Sequence, residues 1–351
     1  MVYSGVRSGS MLENFDFGEP GAPVSMLELA ADAERDEMRM FESVIELDFL
    51  EASRRAFNEA DGEETGSDDK KKKDDEDASK SIFEKIKAAI KKAITFIKQF
   101  IANFIAKIKN FLANDRKLVH ENEKYFKKEY LKEFKVTDYK EVVDISGYSK
   151  LDVVDGLNVK DSFKKFTSKE DIPDQKEINK NTAELFKLSG EDKVNAVAYT
   201  NLLNEDRKEH KGETKLVEIS GEIERILAYM KDGKKLIGQA QRKGKDNIAL
   251  LQNLEKDVNF DRKHLDDDLA VASANYNYCL TKSMVQAVSV IVSCTTSFMS
   301  RNLADARTTF VKACRYAKGK YDGKEDTANQ ESADLLGLAS EMYCESVFDL
   351  V

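Results

Sequence analysis

Apolar side chains recur every three or four residues over most of this chain, a spacing that predicts α-helices with one buried face each. The clearest case runs from Ser81 to Leu112, where Ile and Phe alternate with Lys and neither Gly nor Pro interrupts. Two further series, 216–230 and 251–269, follow the same steps. We therefore expect a mainly α protein, built as a multi-helix bundle with a long central helix near the C-terminus, over residues 269–318.

The first quarter of the chain is patterned differently. Residues 1–24 carry no period, and we expect them to be flexible. Residues 25–28 have the Ser-x-x-Glu form of a capping box, which predicts a helix over 25–60 with ten acidic residues and four arginines. Residues 61–79 hold nine acids, four consecutive lysines and no large apolar side chain, which predicts a disordered acidic linker.

The remaining chain divides into three predicted regions. Residues 80–134 form a basic amphipathic helical region. Residues 135–173 mix β-branched doublets with Gly and Asp, which predicts a small irregular or α+β segment with one or two short strands. Residues 174–351 form a helical bundle domain, with an antiparallel helix pair turning near 242–244 and a last helix over 331–348.

The basic helix is the candidate interaction element. Its apolar residues share one wide face and comprise Phe83, Ile86, Ile90, Ile94, Ile97, Phe100, Ile101, Phe104, Ile108 and Phe111. Its lysines lie opposite that face or at its margins, among them Lys85, Lys91, Lys92, Lys98 and Lys109. Such a helix is either one member of a bundle or an element that contacts partner helices or an anionic membrane surface. The acidic segment 25–60 has the opposite charge to this helix, which makes it a candidate segment for masking the basic helix or for targeting.

Composition limits the partners. The net charge of −9 argues against a general nucleic-acid binder, so any such contact has to be local, and no sequence-specific nucleic-acid binding is expected. The N-terminus lacks the apolar stretch of an export signal. The uncharged stretch 283–300 contains five Ser and two Thr, which favours a buried bundle helix over a transmembrane one.

The chain shows no recognisable catalytic motif. Phosphate-binding GxxxxGK[ST], dinucleotide-binding GxGxxG, nucleophile-bearing GxSxG and zinc-binding HExxH are all absent from the sequence. The three histidines are far apart among charged residues, and the four cysteines are widely spaced, which favours surface histidines and reduced, buried thiols. We expect no enzyme activity, no cofactor, no metal and no small-molecule substrate.

The order of segments resembles internal or head-associated virion structural proteins of large tailed bacteriophages. The resemblance lies in SMLELAADAERDEMRMFESVIELDFLEA, the charged linker, IFEKIKAAIKKAITFIKQFIANFIAKIKNF running into NEKYFKKEY, and SRNLADARTTFVKACRYAKG. It covers mainly residues 25–130 and 283–318. It implies a non-enzymatic virion component made in the bacterial host cytoplasm, in some cases trimmed by a protease, that binds other virion proteins or itself. The alternative is a membrane-active effector or pore-forming protein whose basic helix 82–112 inserts at a membrane interface.

Overall fold

The computed structural model describes residues 68–126, 131–188, 196–258 and 267–322. Within these ranges the chain is 75% helical with six α-helices, which confirms the mainly α prediction. The helices are α1 (Asp68–Asn122), α2 (Gln175–Leu185), α3 (Ala196–Asn204), α4 (Ser220–Asp232), α5 (Lys234–Asp257) and α6 (Asp267–Asp322). Two strands, β1 (Lys135–Lys140) and β2 (Glu209–Lys215), form an antiparallel pair. The predictions for 1–24, 25–60, 61–67 and 331–348 lie outside the described residues.

Helix α6 lies at the centre of the fold. It packs against α1, α2, α3, α4, α5 and β1, and apolar side chains from all of these elements join one continuous core. Small residues such as Ala287, Ala306 and Ala313 are fully buried along α6, and short side chains let neighbouring helices approach closely. The long C-terminal helix predicted for 269–318 is therefore confirmed.

Helix α1 begins earlier than the helical region predicted from the sequence. It starts at Asp68, so residues 68–79 of the predicted disordered linker are helical. After Asn122 comes a 3-10 turn, Glu123–Phe126, Leu131 is again helical, and β1 begins at Lys135, directly after the helical region predicted for 80–134.

The middle segment joins the sheet to the helices. Residues 135–173 contain β1 and three single-turn 3-10 helices, Ile145–Gly147, Ser149–Leu151 and Lys160–Ser162. Strand β2 lies within residues 174–351, which were predicted as a helical bundle, so that prediction is wrong for Glu209–Lys215. Asp138 interrupts the β1–β2 ladder with φ of 47°, and its carboxylate accepts a hydrogen bond of 2.7 Å from the Gly212 N–H. This contact fixes the register of the bulged pair.

Side chains from α4 and α6 hold the extended residues that follow β1. The Asn302 side-chain amide donates to the Val143 carbonyl at 2.8 Å, and its oxygen accepts from the Val143 N–H at 2.9 Å. The Tyr229 hydroxyl also donates to the Val143 carbonyl, and Arg225 donates to the Val142 carbonyl. These contacts satisfy backbone groups that have no strand partner, so they allow an irregular segment to enter the core.

Helices α4 and α5 meet at Gly233, so the turn between them is not near 242–244 as predicted. Gly233 has φ of 46°, a conformation that glycine adopts without a steric penalty. Lys243 and Gly244 lie inside α5 instead. A Cβ at Gly244 would stand 2.7 Å from the Ile101 Cδ1, so the missing side chain of this glycine lets Ile101 of α1 approach the backbone of α5.

Candidate interaction surface

The apolar face of the basic helix is core in this structure. Of the ten apolar candidate residues, nine are at most 9% exposed: Ile86, Ile90, Ile94, Ile97, Phe100, Ile101, Phe104, Ile108 and Phe111. They pack against α4, α5 and α6. The side chains of Phe83 and Lys85 lie outside the described part of the chain. A membrane or partner contact through this face would therefore require α1 to leave the other helices.

The lysines of the same helix stay at the surface. Lys91, Lys92, Lys98 and Lys109 are all exposed. The Lys91 Nζ lies 3.6 Å from the Glu255 Oε1 on α5, an ion pair that solvent screens strongly. Between residues 85 and 114 the sequence of α1 contains seven lysines and no acid. The structure thus separates the candidate residues into a buried apolar set and an exposed cationic set on opposite sides of one helix.

Helix α5 extends the cationic surface of α1. The two helices run antiparallel, because Leu112 on α1 approaches Gly233 whereas Ile101, further back, approaches Gly244. The exposed side of α5 carries Lys234, Lys245 and Lys256. We call the outward sides of α1 and α5 together the α1–α5 basic face. The sequence prediction missed the α5 lysines, although their 11-residue spacing is visible in the printed sequence.

A buried ion pair joins α1 to α6 beneath this face. Asp115 is 0% exposed, and its Oδ1 lies 3.3 Å from the Nε of Arg307. Burial raises the pKa of the Asp115 carboxyl from 3.8 to about 6, and the Arg307 charge offsets only part of that rise. Both carboxyl oxygens lack a hydrogen-bond partner among the described residues. The sequence prediction missed this residue, which stands in the polar run AsnAspArgLys.

The described histidines and cysteines do not come together in one site. His120 is exposed on α1, whereas His210 on β2 lies 2.7 Å from the Glu141 carboxylate. Cys294 and Cys314 are buried and Cys279 is half-buried, and burial raises the pKa of the Cys314 thiol to about 12. His264 and Cys344 lie outside the described residues. Within 68–126, 131–188, 196–258 and 267–322, no group of three or more His, Cys, Asp or Glu side chains could hold a metal ion.

Helix α6 has membrane-like length and composition over part of its span. The stretch Ala272–Lys320 is long and apolar enough to cross a membrane, and 89% of its most apolar window is buried inside the protein. Hydroxyl side chains such as Ser289, Thr296 and Ser300 interrupt its apolar surface. A central core helix passes the same test of length and composition.

Comparison of the chain with protein-family models, curated proteins and solved structures gave no match. The site is therefore interpreted from its own geometry.

Proposed function

We propose that this protein is a non-enzymatic structural component of a tailed-bacteriophage virion, internal or head-associated, that acts through the surfaces of a helical bundle. It would be made in the bacterial host cytoplasm and would bind other virion proteins or further copies of itself. The order of an acidic segment, a charged linker and a lysine-rich helix supports the virion assignment through its resemblance to such proteins.

The observation that carries the proposal is the division of α1 between core and surface. Its Ile and Phe side chains pack into the protein, while Lys98 and Lys109 project from a helix whose position the core holds. Because the helix is already held in place, a partner that binds its lysines does not have to order the backbone, which lowers the entropic cost of binding. This arrangement suits a protein that acts by contact with partners. The acidic segment 25–60 would then act in targeting or masking before any proteolytic trimming.

Quantitative mass spectrometry of purified virions tests this proposal. The expected result is a constant copy number per particle across preparations, with a mature N-terminus near residues 60–80 if trimming occurs. Particle-depleted lysate from the same infected cells provides the control. Recovery of the chain only in the depleted lysate would contradict a virion role.

A second candidate is a membrane-active effector, and one observation favours it. The amphipathic helix α1 packs against α6, whose stretch Ala272–Lys320 has the length and composition of a membrane span. Insertion would require these two helices to open, because their apolar surfaces bury each other. Dye release from anionic vesicles by the full chain tests the idea, with neutral vesicles as the control. Absence of release from anionic vesicles over the range from pH 4 to pH 8 would exclude this function.

A further inference from the structure

The exposed lysines of α1 and α5 follow the same interval. Three of them on each helix are separated by 11 residues: Lys87, Lys98 and Lys109 on α1, and Lys234, Lys245 and Lys256 on α5. Eleven residues make about three helical turns, so each set forms one row along its helix, with a rise of roughly 16.5 Å between neighbours. Five of the six are exposed and Lys87 is half-buried.

The register of the two helices places these rows side by side. Three contacts fix how the antiparallel helices are aligned: Leu112 meets Gly233, Ile101 meets Gly244, and Lys91 pairs with Glu255. Because residue numbers rise along one helix and fall along the other, residues at the same level have numbers that sum to about 345. The three lysine pairs, 87 with 256, 98 with 245 and 109 with 234, each sum to 343. The two lysines of a pair are therefore offset along the helix axes by only two residues, or roughly 3 Å. The result is a ladder of three lysine pairs, about 33 Å long.

Most of this positive charge is not neutralised by neighbouring acids. Lys87, Lys98, Lys109, Lys245 and Lys256 have no carboxylate within 4.0 Å among the described residues. The acids of α5 that lie nearby already face other cations: Glu255 faces Lys91, and Asp246 lies 3.6 Å from the buried Lys243. An acidic protein thus keeps one basic strip whose charge is available to an external anion.

We propose that the α1–α5 basic face binds the phosphate backbone of duplex DNA without reading its sequence. The ladder length of about 33 Å is close to one turn of the duplex, roughly 34 Å, so its ends can meet the same strand one turn apart. This inference names a partner for the surface on which the proposed function rests, but it does not require the protein to be a virion component.

The side chains between the lysines favour phosphate over lipid. Amide-bearing side chains lie at exposed positions among these lysines, including Asn103 and Asn110 on α1 and Gln241 and Gln252 on α5. Amide side chains donate hydrogen bonds to phosphate oxygens, as they do in many backbone contacts with DNA. A helix that binds a membrane interface needs large apolar side chains beside its lysines. The exposed large apolar residues of the described chain are Val197, Val217 and Tyr316, and none belongs to α1 or α5.

The test measures binding of the full-length protein to a fluorescent 40-base-pair duplex at several salt concentrations, beginning near 50 mM because the net charge of −9 opposes association. A second duplex of unrelated sequence should bind with equal affinity. The ladder variant is Lys98→Gln, Lys109→Gln and Lys245→Gln. The matched control, Lys164→Gln, Lys165→Gln and Lys211→Gln, removes the same charge from exposed sites elsewhere. Circular dichroism verifies that both variants fold.

Each lysine that contacts a phosphate contributes about 0.9 to the slope of log affinity against log salt, so the ladder variant should lose roughly 2–3 from that slope. At low salt its affinity should fall about tenfold or more, whereas the control should retain both slope and affinity. Equal losses in the two variants, or no saturable DNA binding by the unaltered protein, would overturn the proposal. Binding to phosphatidylglycerol vesicles but not to DNA, lost in the ladder variant, would assign the face to lipid instead and refute it.

Discussion

Asp115 makes the stability of this protein depend on pH in a direction opposite to that of an ordinary surface carboxylate. Folding raises the pKa of its carboxyl from 3.8 to about 6, because a fully buried carboxylate loses its hydration. The folded state therefore holds the proton more tightly than the unfolded state does. The stabilising contribution of the protonated form is complete below pH 3.8 and is lost as the pH rises through about 6.

The size of the effect follows from the two pKa values. A shift of one pKa unit corresponds to about 1.4 kcal/mol, so the difference from 3.8 to about 6 is worth roughly 3 kcal/mol in the limit. Between pH 4 and pH 8 the accessible part of this is about 2 kcal/mol. Replacing Asp115 with Asn removes the titration while keeping a side chain of similar shape. Relative to the unaltered protein, the Asp115→Asn variant should gain about 2–3 kcal/mol in free energy of unfolding on going from pH 4 to pH 8.

Urea denaturation followed by circular dichroism at pH 4, 5, 6, 7 and 8 measures this difference, and subtracting the two proteins removes the titration of distant groups. The matched control is Asp232→Asn, a substitution of an exposed aspartate that should change the free energy of unfolding by less than about 0.5 kcal/mol. A constant difference between Asp115→Asn and the unaltered protein over the whole pH range would refute the reasoning, because it would place the folded pKa of Asp115 at its ordinary value.

Three further predictions concern the core. Phe104 is 1% exposed, so Phe104→Ala should lower the free energy of unfolding by about 3–5 kcal/mol in urea titrations, and a loss below about 1 kcal/mol would contradict its place in the core. Gly244→Ala and its control Gly238→Ala gain the same helix propensity, but the new Cβ at 244 meets Ile101 whereas the one at 238 has open space, so Gly244→Ala should be the less stable of the two variants by about 1–3 kcal/mol in urea titrations. Cys314 should resist alkylation at pH 8 until the protein unfolds, since burial raises the pKa of its thiol; peptide mass spectrometry that finds rapid labelling of the native protein would contradict this.

The sequence predicted the helices that carry a strong apolar period, because that period reflects burial directly. Ile90, Ile97 and Phe104 recur at sevens on α1, and all three are buried as the pattern indicates. Residues 209–215 show the opposite case. Their sequence, GluHisLysGlyGluThrLys, has no apolar alternation, and the strand forms through backbone pairing with β1. Composition could not reveal a strand whose partner lies more than 70 residues away.

The other differences between the sequence predictions and the structure arise from contacts between segments that are distant in the sequence. Gly233 and Gly244 both stand among lysines, and the sequence offers no reason to prefer either as the turn between α4 and α5. The structure places the turn at Gly233 and uses the missing side chain of Gly244 to admit Ile101. The alignment of Lys98 with Lys245 likewise depends on the register of two helices, which no local pattern encodes. The basic row on α1 could be predicted from sequence, whereas its extension onto α5 could not.

The pairing of α1 with α5 has a consequence for synthesis on the ribosome. The chain between Leu112 and Gly233, two residues in contact, takes about 6–24 s to translate at roughly 5–20 residues per second. During that interval the Ile and Phe side chains of α1 have emerged while the helix that covers them is still unmade, and α6 follows later still. The lysines on the opposite side would then act first as a solubility device that protects a nascent segment from aggregation. Selection on those positions would therefore begin before the protein has folded, and any later contact with a partner would use charges already required for biogenesis.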